Sequence, residues 1–165
     1  MTQTSAQWLE YELLHDIAEG LARSVSADQL PMGTDRRWVR LLGTHSYDAW
    51  LIGWPPGTGL ELHDHGESSA GLCVVSGVLD ERHVPRHSWG RAVTRRLVAG
   101  DAVAFDSAHV HAVRNLGDVE ALSVHVYSPP LAAMTFFEEG EGTVLRPVDA
   151  QLVDHAPLPR ARVVV

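Results

Sequence analysis

Gly57-Thr-Gly-Leu-Glu-Leu-His63-Asp64-His65-Gly66 is the stretch whose reading decides the fold. Side chains alternate along a β-strand, so two histidines two residues apart face the same side. Far downstream stands His111-Ala-Val-Arg-Asn115. A third imidazole brought in from a distant strand supplies one face of a metal's coordination sphere. The expectation is a three-histidine metal site inside a small β-barrel, with no carboxylate ligand.

The surrounding texture supports strands. From Arg36 onward, short runs rich in Val, Leu, Trp and Tyr are separated by Gly, Pro, Asp and Asn. The runs expected to be strands are Trp38–Leu42, Tyr47–Trp54, Leu60–His65, Gly71–Ser76, Val78–His83, Arg91–Val98, Ala102–Phe105, His111–Arg114, Ala121–Tyr127 and Met134–Glu138. Many short strands punctuated by turn signals indicate a sandwich or barrel. Before them, Trp8, Tyr11, Leu14, Ile17 and Leu21 recur at three- and four-residue steps, which predicts a helix between about Ser5 and Ser26, packed outside the main body. After Val148, Pro157 and Pro159 limit regular structure. The expected organisation is one domain: a helical segment over 1–35, a barrel over 36–148 and a tail over 149–165.

The 165 residues suit one domain with a sizeable core. A formal charge of -8 argues against nucleic acid and anionic membranes as partners. Cys73 is the only cysteine, so no internal disulfide can form. The first residues carry no basic stretch leading into an apolar one, and no apolar run reaches membrane-spanning length. A cytoplasmic monomer acting on a small molecule is expected.

Gly57, His63, His65 and Gly77 fit a known pattern: glycine, five residues, His-x-His, four residues, a carboxylate position, six residues, glycine. Gly100, His111 and Asn115 fit its second half. The chain therefore resembles the cupins over roughly Trp38 to Glu138. It departs from them at Ala70, where most cupins carry a glutamate ligand, and at Asp106 and Ala108, where the second motif has proline and glycine. His109 competes with His111 as third ligand, since both share a face in an extended stretch; motif registration favours His111. His15, His45, His83, His87 and His155 have no such company and read as surface or structural. Three neutral ligands leave a divalent ion its full charge, so it can accept an anionic ligand such as a thiolate. Imidazole suits Fe, Zn, Cu and Ni alike, and a zinc-bound hydroxide is a competitor.

A second constellation is Ser123, His125 and Tyr127 in Ala-Leu-Ser-Val-His-Val-Tyr-Ser-Pro-Pro. These share one face of a strand whose other face is Leu122, Val124 and Val126. Hydroxyl, imidazole and phenol in series form a hydrogen-bond relay when they line a cavity. With Trp54-Pro-Pro-Gly-Thr-Gly-Leu-Glu-Leu-His63-Asp-His65-Gly, Gly77-Val-Leu-Asp-Glu81, His111-Ala-Val-Arg-Asn115 and Ser123-Val-His-Val-Tyr-Ser-Pro-Pro130, the chain resembles the cysteine dioxygenase family of thiol dioxygenases.

The resemblance implies a cupin jelly-roll barrel and one Fe(II) per chain, bound by His63, His65 and His111, with O2 as co-substrate. It implies that Tyr127 is an active-site phenol oriented by His125 and Ser123, that Trp54 belongs to the substrate site, and that Ser128-Pro129 is a cis peptide. It implies oxidation of L-cysteine to cysteine sulfinic acid, with 3-mercaptopropionate as the alternative thiol. Arg40 looks like the arginine that pairs with the substrate carboxylate, given a gap of about three residues before Trp54. Without the gap the position falls on Arg37, and in a strand these two face opposite sides. The animal members carry a cysteine, linked to the phenol, where this chain has Ala70. Cys73 lies at an odd offset from it, so no thioether to Tyr127 is expected. Two readings from other classes are a Zn or Mn cupin isomerase or hydrolase, and a non-enzymatic ligand-binding cupin.

Overall fold

Alternation between apolar and polar positions builds two antiparallel sheets in this chain, and each inward face meets the other. A computed structural model describes residues 8–85, 91–141 and 145–153. One helix, α1 (Tyr11–Ala22), precedes β1 (Arg37–Gly43), β2 (Asp48–Trp54), β3 (Gly59–His63), β4 (Ser69–Ser76), β5 (Val78–His83), β6 (Val93–Val98), β7 (Ala102–Phe105), β8 (His111–Arg114), β9 (Ala121–Ser128), β10 (Ala133–Glu139) and β11 (Leu145–Leu152). The sheets run β1-β2-β9-β4-β7 and β11-β10-β3-β8-β5-β6. This is the jelly-roll arrangement of a cupin, mainly β, with one helix on the outside.

Register puts the site residues where they are. In the first sheet, Ser123 pairs with Ile52, His125 with Trp50 and Tyr127 with Asp48; on the other side of β9, Tyr127 pairs with Ala70. The inward faces of the two sheets enclose a core that includes Trp50, Ile52, Trp54, Leu72, Val74, Leu79 and Val113. In the second sheet, His63 on β3 lies opposite both His111 on β8 and Phe136 on β10.

The helix covers the outer face of the first sheet. Leu14 and Ala18, four apart on one helical face, are fully buried with Leu51, Cys73, Leu122, Val124 and Val126. The approach is close at Gly71 on β4: a Cβ there would stand 2.3 Å from the carbonyl oxygen of Leu14. Glycine at this position lets helix backbone lie directly on strand backbone. The β4–β5 turn needs its glycine for another reason, since Gly77 has φ +72°.

Three expectations change. The described helix spans Tyr11–Ala22, shorter than the 5–26 expected, with residues 1–7 outside the described residues. β3 ends at His63, so His65 stands just beyond the strand rather than on it. The strand β11 runs across the expected start of a tail at residue 149. It is an edge strand, exposed along most of its length and held by backbone pairing to β10, so it carries no inward apolar rhythm. Pro147 sits beside the register shift that follows Phe136, a place where a strand tolerates a missing N–H. Residues 86–90, with His87, and residues 154–165, with His155, lie outside the described residues.

Candidate metal centre and its cavity

Three histidines from the second sheet and its adjoining loop converge. His63, His65 and His111 offer ligand atoms that all lie within 4.8 Å of one another, and all three are buried. Nε2 of His63 is 3.2 Å from Nε2 of His65. Nitrogens bound about 2.1 Å from one ion, at angles from a right angle to tetrahedral, stand about 3.0–3.4 Å apart. Nε2 of His111, the ring nitrogen turned away from Glu81, is buried without a hydrogen-bond partner. An imidazole lone pair left bare in a dry interior costs free energy that a cation offsets. The residues present thus fit a divalent metal.

Their protonation fits too. Burial, reinforced by the neighbouring imidazoles, holds His63 and His65 well below the ordinary histidine pKa. Burial also lowers His111, although the carboxylate of Glu81 works the other way. All three are neutral at pH 7 and available as donors. The carboxylate position of other cupins is filled by Ala70, which is buried between Tyr127 and Phe105. Asp64, between the two histidines, turns away: its Oδ1 accepts from the backbone N–H of Gly66 (3.1 Å) and of Thr135 (3.0 Å).

Two of the three candidate ligands are braced from behind. His63 donates from Nδ1 to the carbonyl of Glu61 (2.6 Å). His111 does so to Oε1 of Glu81 (2.7 Å), a fully buried carboxylate that also receives Nε2 of His109 (2.9 Å) and the guanidinium of Arg95. Three donors overcome the cost of burial and hold Glu81 well below the usual carboxylate range. Such a carboxylate–imidazole pair fixes the ligand's tautomer and raises its basicity. Glu81 was in a matched stretch with no role attached. It lies diagonal to His111 because β5 and β8 pair with His83 opposite His111, a long-range register invisible in the sequence. His109 joins a different cluster from His63 and His65, stacked between Phe105 and His83 with centroids at 4.0 and 4.1 Å.

Facing the histidines across the barrel is the strand β9. The indole Nε1 of Trp54 donates to Oγ of Ser123 (2.8 Å), Ser123 lies 2.9 Å from Nε2 of His125, and Nδ1 of His125 lies 3.2 Å from the Tyr127 hydroxyl. An indole N–H can only donate. Ser123 therefore accepts from Trp54. Burial drives the His125 pKa down to about 3, so the ring is neutral and joins Ser123 to Tyr127 by donating through one nitrogen and accepting through the other. Burial beside Asp48 raises the Tyr127 pKa well above the ordinary value. The rings of His65 and Tyr127 are 5.1 Å apart.

These groups share a cavity of about 470 Å³, lined by His63, His111, His125 and Tyr127 and by the tryptophans 38, 50 and 54. Arg36 and Arg40 also line it. Arg37 does not: it faces the other side of β1 and pairs with Glu120. The sequence reading weighed Arg40 against Arg37 and missed Arg36. Stepping back two residues at a time from Arg40, through Trp38, finds it. The Ser128–Pro129 peptide is cis. Cys73 is buried on the helix side of β4, on the face opposite Ala70 and Tyr127.

A three-histidine site facing a Ser–His–Tyr relay is a specific combination, and residues 29–140 match the family model described as cysteine dioxygenase type I. The chain belongs to the cysteine dioxygenase type I family. It is 28% identical over 107 residues to cysteine dioxygenase type 1 of Bos taurus and 29% identical over the same length to that of Homo sapiens. Each alignment covers 61% of this chain and 54% of the relative, so the chain spans about half the length of the curated relatives it matches. Solved structures share the fold. A protein of Klebsiella pneumoniae with a double-stranded β-helix domain superposes with a TM-score of 0.54 at 19% identity, over 80% of this chain and 97% of that one. The cupin domain of Schizosaccharomyces pombe Cnp3 does so at 0.52 and 13%, over 64% and 69%. Among the described residues no helix is long and apolar enough to cross a membrane.

Proposed function

We propose that the protein is a non-haem Fe(II) thiol dioxygenase, oxidising a small carboxylated thiol with O2 to the sulfinic acid, with L-cysteine as first candidate. The observation that carries this reading is a trio of buried neutral imidazoles, a set that includes no carboxylate, faced across the cavity by the phenol of the Ser123–His125–Tyr127 relay. A ferrous ion held by His63, His65 and His111 would lower the thiol's pKa and bring thiolate and dioxygen side by side. Both oxygen atoms end on sulfur, so R–SH and O2 account for R–SO2H with no external reductant.

The chain's own residues do the rest. His63 and His111 are held at a fixed angle by Glu61 and Glu81. Tyr127 donates a hydrogen bond to the reacting group, and its raised pKa keeps that proton in place across the physiological range. His125 and Ser123 orient the phenol, and Trp54 anchors Ser123 while forming a wall of the substrate site. The substrate's carboxylate pairs with a guanidinium on the inward face of β1, where Arg40 stands at the position the family resemblance implies.

One observation favours 3-mercaptopropionate as a second reading: among the described residues no aspartate or glutamate lines the cavity to pair with a substrate ammonium. The test is anaerobic loading with Fe(II), followed by O2 uptake and sulfinate detection with both thiols side by side. One O2 consumed per sulfinate formed is expected. Turnover of a sugar or keto acid with Zn or Mn and no O2 uptake would replace this reading with a cupin isomerase or hydrolase. Binding of the thiol without its consumption would leave a ligand-binding protein.

A further inference from the structure

The three converging histidines are held in different ways. His63 and His111 each donate from Nδ1, to the Glu61 carbonyl and to the Glu81 carboxylate. Nδ1 of His65 is buried and finds no hydrogen-bond partner among the described residues. Its ring rests instead on Phe105, the last residue of β7, with centroids 5.7 Å apart and planes 25° from parallel. Such a contact restrains the tilt of a ring that no hydrogen bond holds.

Phe105 belongs to a column. His109 stacks on it at 4.0 Å and 17°, and His83 stacks on His109 at 4.1 Å and 4°. The outer end is tied down, because Nδ1 of His83 donates to the Val110 carbonyl (3.0 Å). The rings follow one another in the order His83, His109, Phe105, His65.

His109 reaches a second histidine by another route. Its Nε2 donates to Oε1 of Glu81 (2.9 Å), the oxygen that also accepts from Nδ1 of His111 (2.7 Å). The other oxygen, Oε2, takes the guanidinium of Arg95. Donors on both oxygens stop the carboxylate from swinging, so His111 keeps its ring plane and its tautomer. Glu81, His109 and His111 also lie close enough together to hold an ion of their own. Two N–H groups already occupy the oxygen that such an ion would need, and Arg95 sets a positive charge beside it.

We infer that His109 is a positioning residue for two of the three metal-binding histidines, acting on His111 through Glu81 and on His65 through Phe105. This rests on the three-histidine metal centre and not on which thiol, if any, is oxidised there. Removing His109 loosens both histidines; removing only its ring or only its donor loosens one.

The probe is Co(II), titrated into metal-free protein and followed by its visible absorption, with affinity measured by competition against a chelator. His109→Ala removes both contacts. His109→Phe keeps a ring and drops the donor, while His109→Gln keeps an N–H at similar reach and drops the ring. Gly71→Ala serves as a variant destabilised elsewhere, under the helix. The unaltered protein is expected to bind one Co(II) per chain. His109→Ala weakens that binding by about tenfold to a hundredfold, the range for losing a group that supports a metal ligand, and shifts the absorption bands. Each conservative variant recovers part of the loss. Gly71→Ala lowers the melting temperature and leaves affinity and bands in place. A His109→Ala protein that melts lower but binds Co(II) with unchanged affinity and bands overturns the inference. So does complete recovery by either conservative variant, which would leave only one route. A second Co(II) per chain that disappears in His109→Ala overturns it as well, by making His109 a ligand itself. If the unaltered protein takes up no Co(II), the metal centre falls and the inference with it. If it binds Co(II) yet consumes no thiol when loaded with Fe(II), the dioxygenase reading alone fails, and the Co(II) titrations still decide the role of His109.

Discussion

The strand β9 is buried along both faces, and the two faces have opposite purposes. Toward the helix it presents Leu122, Val124 and Val126, packed with Leu14, Ala18, Leu51 and Cys73. Toward the cavity it presents Ser123, His125 and Tyr127, each held by a hydrogen bond to the next. The helix-facing side gains free energy from burial, roughly 0.8 kcal/mol per buried CH2. The cavity-facing side spends some of it, because polar groups taken out of water break even only when fully partnered. One strand therefore separates stability from chemistry by alternation alone, and substitutions on its two sides should fail in different ways.

The largest break belongs to the cavity side. His111→Ala should abolish iron retention and O2 uptake together while the protein still folds, checked by metal analysis and circular dichroism. Tyr127→Phe should keep iron and lower kcat by about a hundredfold, the usual reach of a positioned proton donor, with a smaller change in KM. Equal losses in Tyr127→Phe and a helix-side variant would show that the faces are not separable. On the helix side, Gly71→Ala forces a Cβ against the Leu14 carbonyl. It should cost about 1–3 kcal/mol in chemical unfolding, the range for overpacking, while leaving activity per folded molecule intact.

A further effect is one of pH. His63, His65 and His125 are lowered by burial in the fold, His125 to about 3, against about 6.5 in an unfolded chain. Between those values the unfolded chain binds protons that the folded one refuses, so stability falls as pH falls. The sign is the same for Glu81, whose lowered pKa adds to the loss below about pH 4.5. Metal-free protein should melt at a constant temperature above about pH 7 and progressively lower below it. A melting temperature that rises on acidification would mean the imidazoles are not neutral in the fold.

Much of this was legible in the residues. β5, β7 and β8 fall where the apolar alternation puts them, because turn residues and a half-buried pleat leave a local signature. The converging histidines and the relay on β9 follow from motif spacing and from period two. Other features needed the chain folded. β11 is exposed along most of its length and pairs with β10 through backbone and an exposed Arg146–Glu138 ion pair, so no apolar alternation in Leu145–Leu152 marks it. Glu81 meets His111 through a register between strands thirty residues apart. His65 reaches His63 from a loop, where strand periodicity no longer applies. Arg36 was missed because gap placement framed the choice as two residues, whereas Arg36, just before β1 and two residues from Trp38, lines the cavity as well.

Cys73 lies beneath α1, behind the backbone of its own sheet. A catalyst for sulfur oxidation, as proposed here, would be endangered by any sulfhydryl it carries, and this chain keeps its sole thiol in a separate compartment from the cavity. On the proposed function an incoming thiol would meet no internal competitor, and Cys73 is on the wrong face of β4 to modify the phenol. Newly folded molecules should accordingly be fully competent as soon as iron arrives, with an intact mass equal to that of the bare polypeptide and no slow self-maturation before the first turnover.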